Sequence, residues 1–174
     1  VCAELELWEC AVDAFRNVVA LSPSREIGYL HLGTVLESTG DRRAALDSYG
    51  GRVDRATPTY ECWYRRVRLL EVWSASAATV QERRRKRESM LEETRSMGHA
   101  VARDPAAARQ LAWRLVALED GELLETFVAA CSARRAGLVE LQFHVGVLHE
   151  RQGAMDMAVQ GLESVPAEST FYVE

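Results

Sequence analysis

The sequence has few of the residues that would indicate a sheet, a membrane span or a nucleic-acid binder. It contains one isoleucine and one lysine among 174 residues, whereas alanine, leucine, glutamate and arginine are abundant. That composition favours helix over sheet. No apolar run approaches the roughly 20 residues that cross a bilayer, so we predict no membrane partner. The net charge of −5 argues against general nucleic-acid binding, because such proteins carry a basic excess.

The four cysteines form no metal-binding or disulfide pattern. Cys2, Cys10, Cys62 and Cys131 include no C-x-x-C pair and fall within helical patterns. Disulfide frameworks are typical of smaller, loop-rich secreted chains. We therefore expect reduced thiols, a cytoplasmic location, and neither a metal nor another cofactor.

Motifs for catalysis are also missing. The sequence has no G-x-x-x-x-G-K phosphate loop and no G-x-S-x-G nucleophile motif. His144 and His149 are five positions apart, whereas zinc hydrolases place two histidines one helical turn apart with an intervening glutamate. Packing is the simpler interpretation of both side chains. We therefore predict no catalytic residue and no enzymatic activity in this chain.

Four prolines and several glycines divide the chain into segments whose apolar residues keep a helical period. Pro23, Pro58 and Pro105 each follow a capping residue, as is typical near a helix start, so we predict that each marks a joint between one helix and the next. Gly40 and Gly153 are predicted left-handed stops. No segment alternates as a strand would. The predicted helices, nine in antiparallel succession, are 2–21, 26–38, 42–55, 60–73, 77–103, 106–118, 121–133, 138–151 and 154–165.

Two segments repeat one pattern of small residues with steps of seven and five. The residues are Gly33, Gly40 and Ala45 in the first segment, and Gly146, Gly153 and Ala158 in the second. A glycine inside a helix costs about 1 kcal/mol against alanine, so each needs a structural reason. We expect the first glycine to let the alanine-bearing helix approach closely. Tyr49 and Leu162, four positions after the alanines, are expected to fill the space toward the next unit.

The spacing also repeats at longer range, because Ala11 precedes Ala45 by the same interval as Phe15 precedes Tyr49. This interval, about 34 residues, is typical of the tetratricopeptide repeat, and we call it the repeat length. Residues 26–59 resemble such a repeat. The matching residues are Tyr29, Leu32, Gly33, Leu36, Gly40, Ala45, Tyr49 and Pro58. A second resemblance lies at 139–172, through Gly146, Gly153, Ala158 and Leu162.

The resemblance implies one all-α domain, 1–174, built as a right-handed superhelical solenoid of antiparallel helix hairpins. Its predicted parts are a half repeat at 1–25, a repeat at 26–59, a repeat with an extended charged second helix at 60–105, a degenerate repeat at 106–138 and a repeat at 139–172. Each hairpin of such an array buries its face only against its neighbours, and the stack presents an extended concave surface.

The resemblance also implies that the first helix of each hairpin lines a peptide-binding groove. The residues that this register selects as binding residues are Leu30, Thr34, Tyr64, Arg65, Arg68, Phe143 and Val147. Further positions with the same register are Ile27, Glu37, Glu61, Glu71, Glu140 and Glu150. Because Arg65 and Arg68 are one turn apart, the groove could hold an amphipathic helix or an extended peptide with an acidic end.

We therefore expect a non-catalytic scaffold or adaptor that binds a protein or peptide. One alternative is a recognition or regulatory segment of a larger enzyme, such as a transferase, whose catalytic domain lies outside this chain. Another is nucleic-acid binding through the basic run 83–87, although Glu82 and Glu88 at helical spacing favour a solvated helix. A homo-oligomer is a further option, since a second copy could cover the apolar face of residues 7–19.

Overall fold

The structure, a computed structural model, describes residues 7–50, 60–165 and 167. These residues form nine α-helices and one 3₁₀ helix, and none of them forms a strand, so the prediction of an all-α fold is confirmed. The helices are α1 (Trp8–Leu21), α2 (Glu26–Ser38), α3 (Arg42–Gly50), α4 (Tyr60–Ala75), α5 (Val80–Val101), α6 (Pro105–Val116), α7 (Gly121–Arg134), the 3₁₀ helix (Ala136–Leu141), α8 (Gln142–Arg151) and α9 (Met155–Glu163).

The joints between helices that were predicted at Pro23 and Pro105 are confirmed. The Asp104 side chain accepts hydrogen bonds from the backbone N–H groups of Ala106 and Ala107, and Pro105 is the first residue of α6. At Pro23 the joint is present, because α1 ends at Leu21 and α2 begins at Glu26, as predicted. Pro23 lies in a turn that the Arg25 N–H closes onto the Ser22 carbonyl at 3.0 Å. The joint predicted at Pro58 and the predicted end of α3 at residue 55 lie outside the described residues.

The chain divides into two compact units, Val1–Met90 and Leu91–Glu174, and the boundary in the sequence falls within α5. In the first unit each helix from α1 to α4 packs against the next. A Cβ at Gly28 would lie 3.1 Å from methyl carbons of Val18 and Val19, so a small residue is needed where α1 meets α2. The side chains that are buried in this unit include Val12, Leu32, Leu36, Leu46, Tyr49, Trp63, Val67 and Leu70.

The second unit has a core of fully buried leucines and one phenylalanine. These residues are Leu111, Leu115, Leu123, Leu124, Phe127, Leu138, Leu141 and Leu148. The second half of α5 lies against α7, where a Cβ at Gly98 would come within 2.8 Å of the Phe127 carbonyl oxygen. At the same contact the Cys131 thiol donates to the Gly98 carbonyl at 3.4 Å. Burial raises the pKa of Cys131 to about 12.

Left-handed residues form the turns within three hairpins. Gly40 has φ 84° between α2 and α3, and Gly153 has φ 75° between α8 and α9, so both predicted stops are confirmed. Between α6 and α7 the positive φ, 56°, belongs to Glu119, which stands one repeat length before Gly153. The Gln152 side chain donates to the Glu119 carbonyl at 2.8 Å and so links the turn between α6 and α7 to the turn between α8 and α9.

Gly33 and Gly146, which lie inside the first helix of their hairpins, make room for Tyr49 and Leu162 on the second helix. A Cβ at Gly33 would overlap the ring of Tyr49. A Cβ at Gly146 would lie 2.8 Å from Leu162 Cγ and 3.1 Å from the Ala158 carbonyl oxygen. The expected close approach of the alanine-bearing helix is therefore present at Gly146, whereas the atoms nearest to Gly33 are those of the Tyr49 ring. The expectation that Tyr49 and Leu162 point toward a next unit is wrong, because each side chain covers the glycine of its own hairpin.

Candidate functional site

In the first unit the structure brings together the predicted binding residues of two consecutive hairpins. Leu30 and Thr34 lie on α2, and Tyr64, Arg65 and Arg68 lie on α4, all of them half-buried. A hydrogen-bonded ion pair joins the helices, since Arg68 Nη2 lies 2.7 Å from Glu37 Oε1. The first helices of neighbouring hairpins are thus side by side, as the repeat register predicts.

Glu37 is the centre of a polar cluster on this face. Its second carboxylate oxygen accepts a hydrogen bond from the Tyr49 hydroxyl at 2.8 Å. Burial raises the pKa of Tyr49 to about 12, and the neighbouring Glu37 carboxylate acts in the same direction. Arg65 Nε in turn lies 3.3 Å from Glu61 Oε1. Both predicted arginines therefore have carboxylate partners within the protein, and the α2–α4 face carries balanced charge.

The second unit presents an equivalent face on α6 and α8. Phe143 and Val147 are half-buried on α8, where the sequence predicted them to line the groove. Arg109 of α6 pairs with Glu140 beside α8, with Nη1 2.9 Å from Oε1. These two residues are 31 positions apart in the sequence, as are Glu37 and Arg68. In the second unit this ion pair therefore links α6 to the 3₁₀ helix that precedes α8, whereas in the first unit it links α2 to α4.

Trp113 is the most exposed aromatic residue described on this second face. It is 44% exposed on α6, and its ring meets the ring of Phe143 edge-to-face, with 6.2 Å between centroids. The fully buried ring of His144 supports it from behind at 4.8 Å. Such edge-to-face arrangements are favourable aromatic contacts. Trp113 is therefore held in place by other rings while a large part of the indole faces solvent.

His144 contributes no charge to this aromatic cluster near neutral pH. Burial lowers the pKa of its imidazole to about 4, and the positive charge of Arg109 acts in the same direction, although the backbone of Leu141 opposes the shift. The surface formed by Trp113 and Phe143 therefore lies over a neutral ring, which suits an apolar ligand.

Sequence reasoning missed Trp113 and Arg109, although a signal for both was present. Trp113 stands one repeat length before Val147, and Arg109 stands one repeat length before Phe143. The register was obscured because Ala112 occupies the position of Gly146, and because Glu119, not a glycine, forms the following turn. The segment 106–138 consequently gave no small-residue pattern that would identify its groove positions.

Two residues of the basic run at the start of α5 make contacts within the protein. Lys86 Nζ lies 2.8 Å from Glu82, donates to the Trp73 carbonyl at 3.2 Å and sits 4.4 Å from the centroid of the Trp73 ring. Arg84 pairs with Glu88 at 3.0 Å. The exposed Arg84–Glu88 pair supports the expectation of a solvated helix stabilised by ion pairs, whereas the Lys86 side chain is only 12% exposed and packs against Trp73.

The described residues contain no group of three or more His, Cys, Asp or Glu side chains that could hold a metal ion. His149, which the sequence placed near a possible zinc motif, is nearly buried and lies 3.3 Å from Glu125. Among all the residues that the structure describes, no helix combines the length and apolar character that crossing a membrane requires.

Comparison with known proteins identifies the class to which this arrangement of hairpins belongs. No protein-family model matches the chain, and no curated protein matches it either. Among solved structures, TTC0263, a thermophilic TPR protein of Thermus thermophilus, is similar over 96% of this chain and 88% of its own, with a TM-score of 0.50 and 16% identity. The chain therefore has the all-α fold of a tetratricopeptide-like helical-repeat protein.

Two further solved structures show a weaker likeness. MamA is 16% identical over 90% of this chain and 80% of its own, with a TM-score of 0.43. YrrB, described as a TPR protein with an unusual peptide-binding site, is 14% identical over 88% of this chain and 91% of its own, with a TM-score of 0.34.

Proposed function

We propose that the chain is a non-catalytic scaffold that binds a peptide segment of a partner protein on its paired first helices. The observation that carries this proposal is the exposed indole of Trp113, held edge-on by Phe143 above the buried His144. Tryptophan, tyrosine and arginine dominate the energetics of binding surfaces, most of all where neighbouring groups already fix their position. A rigid indole loses little conformational entropy when a ligand covers it.

In the second unit the proposed ligand contacts are apolar. Trp113, Phe143 and Val147 would bury an apolar side chain of the peptide, and the Arg109–Glu140 pair would hydrogen-bond to polar groups beside it. This pattern of an apolar centre with a polar edge is common in peptide-binding surfaces. It suits an amphipathic helix or an extended segment with one large apolar residue.

In the first unit the proposed ligand contacts are mixed. Leu30, Thr34 and Tyr64 offer apolar surface and hydroxyl groups, while Arg65 and Arg68 are balanced by Glu61 and Glu37. An acidic end of the peptide would compete with Glu37 for Arg68. We therefore expect affinity here to depend on salt only weakly, since each arginine already has a partner.

A selected peptide tests this proposal. We would select short linear peptides from a random library against the intact chain and measure their dissociation constants by calorimetry. Trp113→Ala should weaken the best binders about tenfold or more, which corresponds to about 1.4 kcal/mol of lost binding free energy. Leu21→Ala is the matched control, because Leu21 is 84% exposed at the end of α1 and outside both faces.

The same peptides test the other predicted groove residues. A chain with Tyr64, Arg68 and Phe143 replaced together by alanine should lose measurable binding of peptides that use either face. Peptides that bind this triple variant and the Trp113→Ala variant as tightly as the original chain would show that the groove assignment is wrong.

A further inference from the structure

The first turns of α5 carry a strong positive charge on a chain that is acidic as a whole. Five basic and two acidic side chains fall between residues 80 and 88, whereas the chain has a net charge of −5. The rest of the chain is therefore more acidic than the whole. This segment belongs to the first unit. Such a local excess of positive charge attracts anionic ligands.

The spacing of these residues places several of them on one side of the helix. Positions i, i+3, i+4 and i+7 share a face of an α-helix. The residues of α5 that follow this spacing are Val80, Arg83, Arg84 and Arg87, and we call their surface the α5 face. Val80 is 81% exposed, and Arg83 and Arg84 are exposed beside it. Arg85 is also exposed but points away from this face, because it lies two positions after Arg83 and two positions turn a helix by about 200°.

The backbone at the start of α5 and the amine of Lys86 already have partners within the protein. The Lys86 amine is held by Glu82 and by the carbonyl and ring of Trp73. The backbone N–H of Glu82 donates to the Thr79 hydroxyl at 3.1 Å, and the backbone N–H of Ala78 donates to the Glu82 carboxylate at 3.3 Å. A ligand of the α5 face would therefore meet arginine side chains and not free backbone N–H groups.

Two arginines of the α5 face are available to an acidic ligand. Arg83 has no carboxylate partner within the described part of the chain. It also stands in the first turn of α5, where the helix dipole opposes a positive charge. Arg84 pairs with Glu88 at 3.0 Å, but both side chains are exposed, and such surface pairs contribute little. A carboxylate of a ligand would therefore bind Arg83 without competition and would readily replace Glu88 at Arg84.

The valine among these arginines indicates a protein segment as the ligand, not a nucleic acid. Val80 offers apolar surface that an apolar side chain of a peptide would bury, whereas a phosphate backbone would leave it exposed. Glu88 stands one turn after Arg84, where it would repel a continuous row of phosphates. The acidic rest of the chain would add to this repulsion at longer range.

We propose that the α5 face docks an acidic amphipathic helix of a partner protein, which places an apolar side chain on Val80 and carboxylates on Arg83 and Arg84. Two helices that pack side by side bring residues with this spacing next to each other, with apolar contacts flanked by ion pairs. The face extends about 10 Å along α5, so two to three turns of a partner helix would cover it. It shares no residue with the proposed peptide site.

A designed peptide tests this proposal. The probe is a fluorescent, lactam-bridged helix whose single leucine has glutamates three and four positions away on both sides, with alanine and glutamine elsewhere. Titrated with the intact chain and followed by anisotropy at about 0.1 M salt, it should bind saturably, and Arg83→Glu should weaken it tenfold or more. This variant should keep α5 intact, because the new carboxylate precedes Arg87 by one turn, which is a favourable order.

Arg85→Glu is the matched control for that measurement. It makes the same change of charge on an exposed arginine that also has no carboxylate partner among the described residues, but on the other side of the helix. It should leave the affinity for the probe within about twofold, because salt screens exposed charges that do not touch the ligand.

A variant that should bind more tightly makes the test independent of folding. Glu88→Gln removes the partner of Arg84 and should strengthen binding of the probe about threefold. Asp47→Asn, on an exposed residue of α3, is the control for net charge and should have little effect. Arg83→Glu should leave the affinity for peptides selected through Trp113 unchanged, which separates the α5 face from the proposed peptide site.

Several results would overturn the proposal. One is a probe that does not bind, or that Arg85→Glu weakens as much as Arg83→Glu does, since general attraction between charges would then explain the binding. Another is a short single-stranded oligonucleotide that binds more tightly than the probe and is released by Arg83→Glu, because nucleic acid would then be the ligand. The third is a dimer in sedimentation that Arg83→Glu dissociates, since a second copy would then occupy the face.

Discussion

The hairpins α2–α3 and α8–α9 share their spacing of small residues but fill the space differently. In α2–α3 an aromatic ring, Tyr49, covers Gly33, and its hydroxyl continues to Glu37. In α8–α9 Leu162 covers Gly146, and a Cβ at Gly161 would come 3.1 Å from the Gly146 backbone. The small-residue pattern thus specifies close approach of two helices, whereas the residue four positions after the alanine decides how the contact is made.

The difference extends to the neighbours of each hairpin. The Tyr49 hydroxyl and Arg68 of α4 share the carboxylate of Glu37, so the α2–α3 hairpin is joined to the next one by polar contacts. Leucine at the equivalent position has no group that could make such a link. The α8–α9 hairpin instead has a fully buried ionisable group in its first helix, His144, which belongs to the aromatic cluster.

The largest expected effect that separates the two hairpins is acid sensitivity of the unit that contains His144. The pKa of His144 is about 4 in the folded chain and near 6.5 in the unfolded chain, so the unfolded chain is protonated first as the pH falls. The contribution of the neutral His144 to the free energy of unfolding is therefore complete above pH 6.5 and is lost as the pH falls toward 4. Urea unfolding of the original chain should lose about 3 kcal/mol at pH 4 relative to the His144→Leu variant.

The control for this measurement is Phe143→Leu, which changes the packing of the same cluster and removes no titrating group. It should retain the acid dependence of the original chain. Equal pH profiles for the original chain and His144→Leu between pH 7 and 4 would contradict the assignment.

The second expected effect is alkaline sensitivity of the unit that contains Tyr49. Its pKa rises from 10 to about 12 on folding, so the stabilising effect is complete below pH 10 and is lost as the pH rises through 12. At pH 12 the original chain should lose about 2 kcal/mol more than Tyr49→Phe. The measurement is urea unfolding between pH 8 and 12. Glu37→Gln is the control that should keep most of this loss, because burial is the larger cause of the shift.

The smallest of the three effects concerns the glycines themselves. Gly33→Ala should cost about 1 to 2 kcal/mol, since overlap with the buried Tyr49 ring exceeds the gain in helix propensity. Gly146→Ala should cost less, because Leu162 is only half-buried and can move. Urea unfolding of the variants measures both values.

A double-mutant cycle would break or confirm this interpretation of the glycines. Tyr49→Leu should couple with Gly33→Ala by about 1 kcal/mol and should not couple with Gly146→Ala. Independent effects at positions 33 and 49 would mean that the ring does not determine the cost at Gly33.

The features that the sequence predicted well are those that one residue type satisfies far more readily than the others. Gly40 and Gly153 were recognisable as turns, because a positive φ strongly favours glycine. The repeat register placed Leu30, Thr34, Tyr64, Phe143 and Val147 on the first helices, where the structure has them. Whether these residues bind a ligand stays a prediction.

The features that the sequence did not predict depend on partners far along the chain. Glu37 and Arg68 are 31 positions apart, so their ion pair could not be read from local spacing. The sequence alone therefore indicated a positively charged surface at the two arginines of α4. Trp113 was missed because Glu119 tolerates a left-handed turn that the pattern expected of glycine. Single-residue rules fail where a neighbouring helix supplies the missing interaction.

The buried cysteines have a practical consequence. Cys62 lies in the first unit and Cys131 in the second, 2% and 0% exposed. A thiol reagent can reach either sulfur only when the surrounding helices separate, whereas Cys10 is exposed. With Cys2 and Cys10 replaced by serine, the labelling rate at each remaining thiol would report how often its own unit opens. The chain therefore contains one internal probe of local unfolding in each unit.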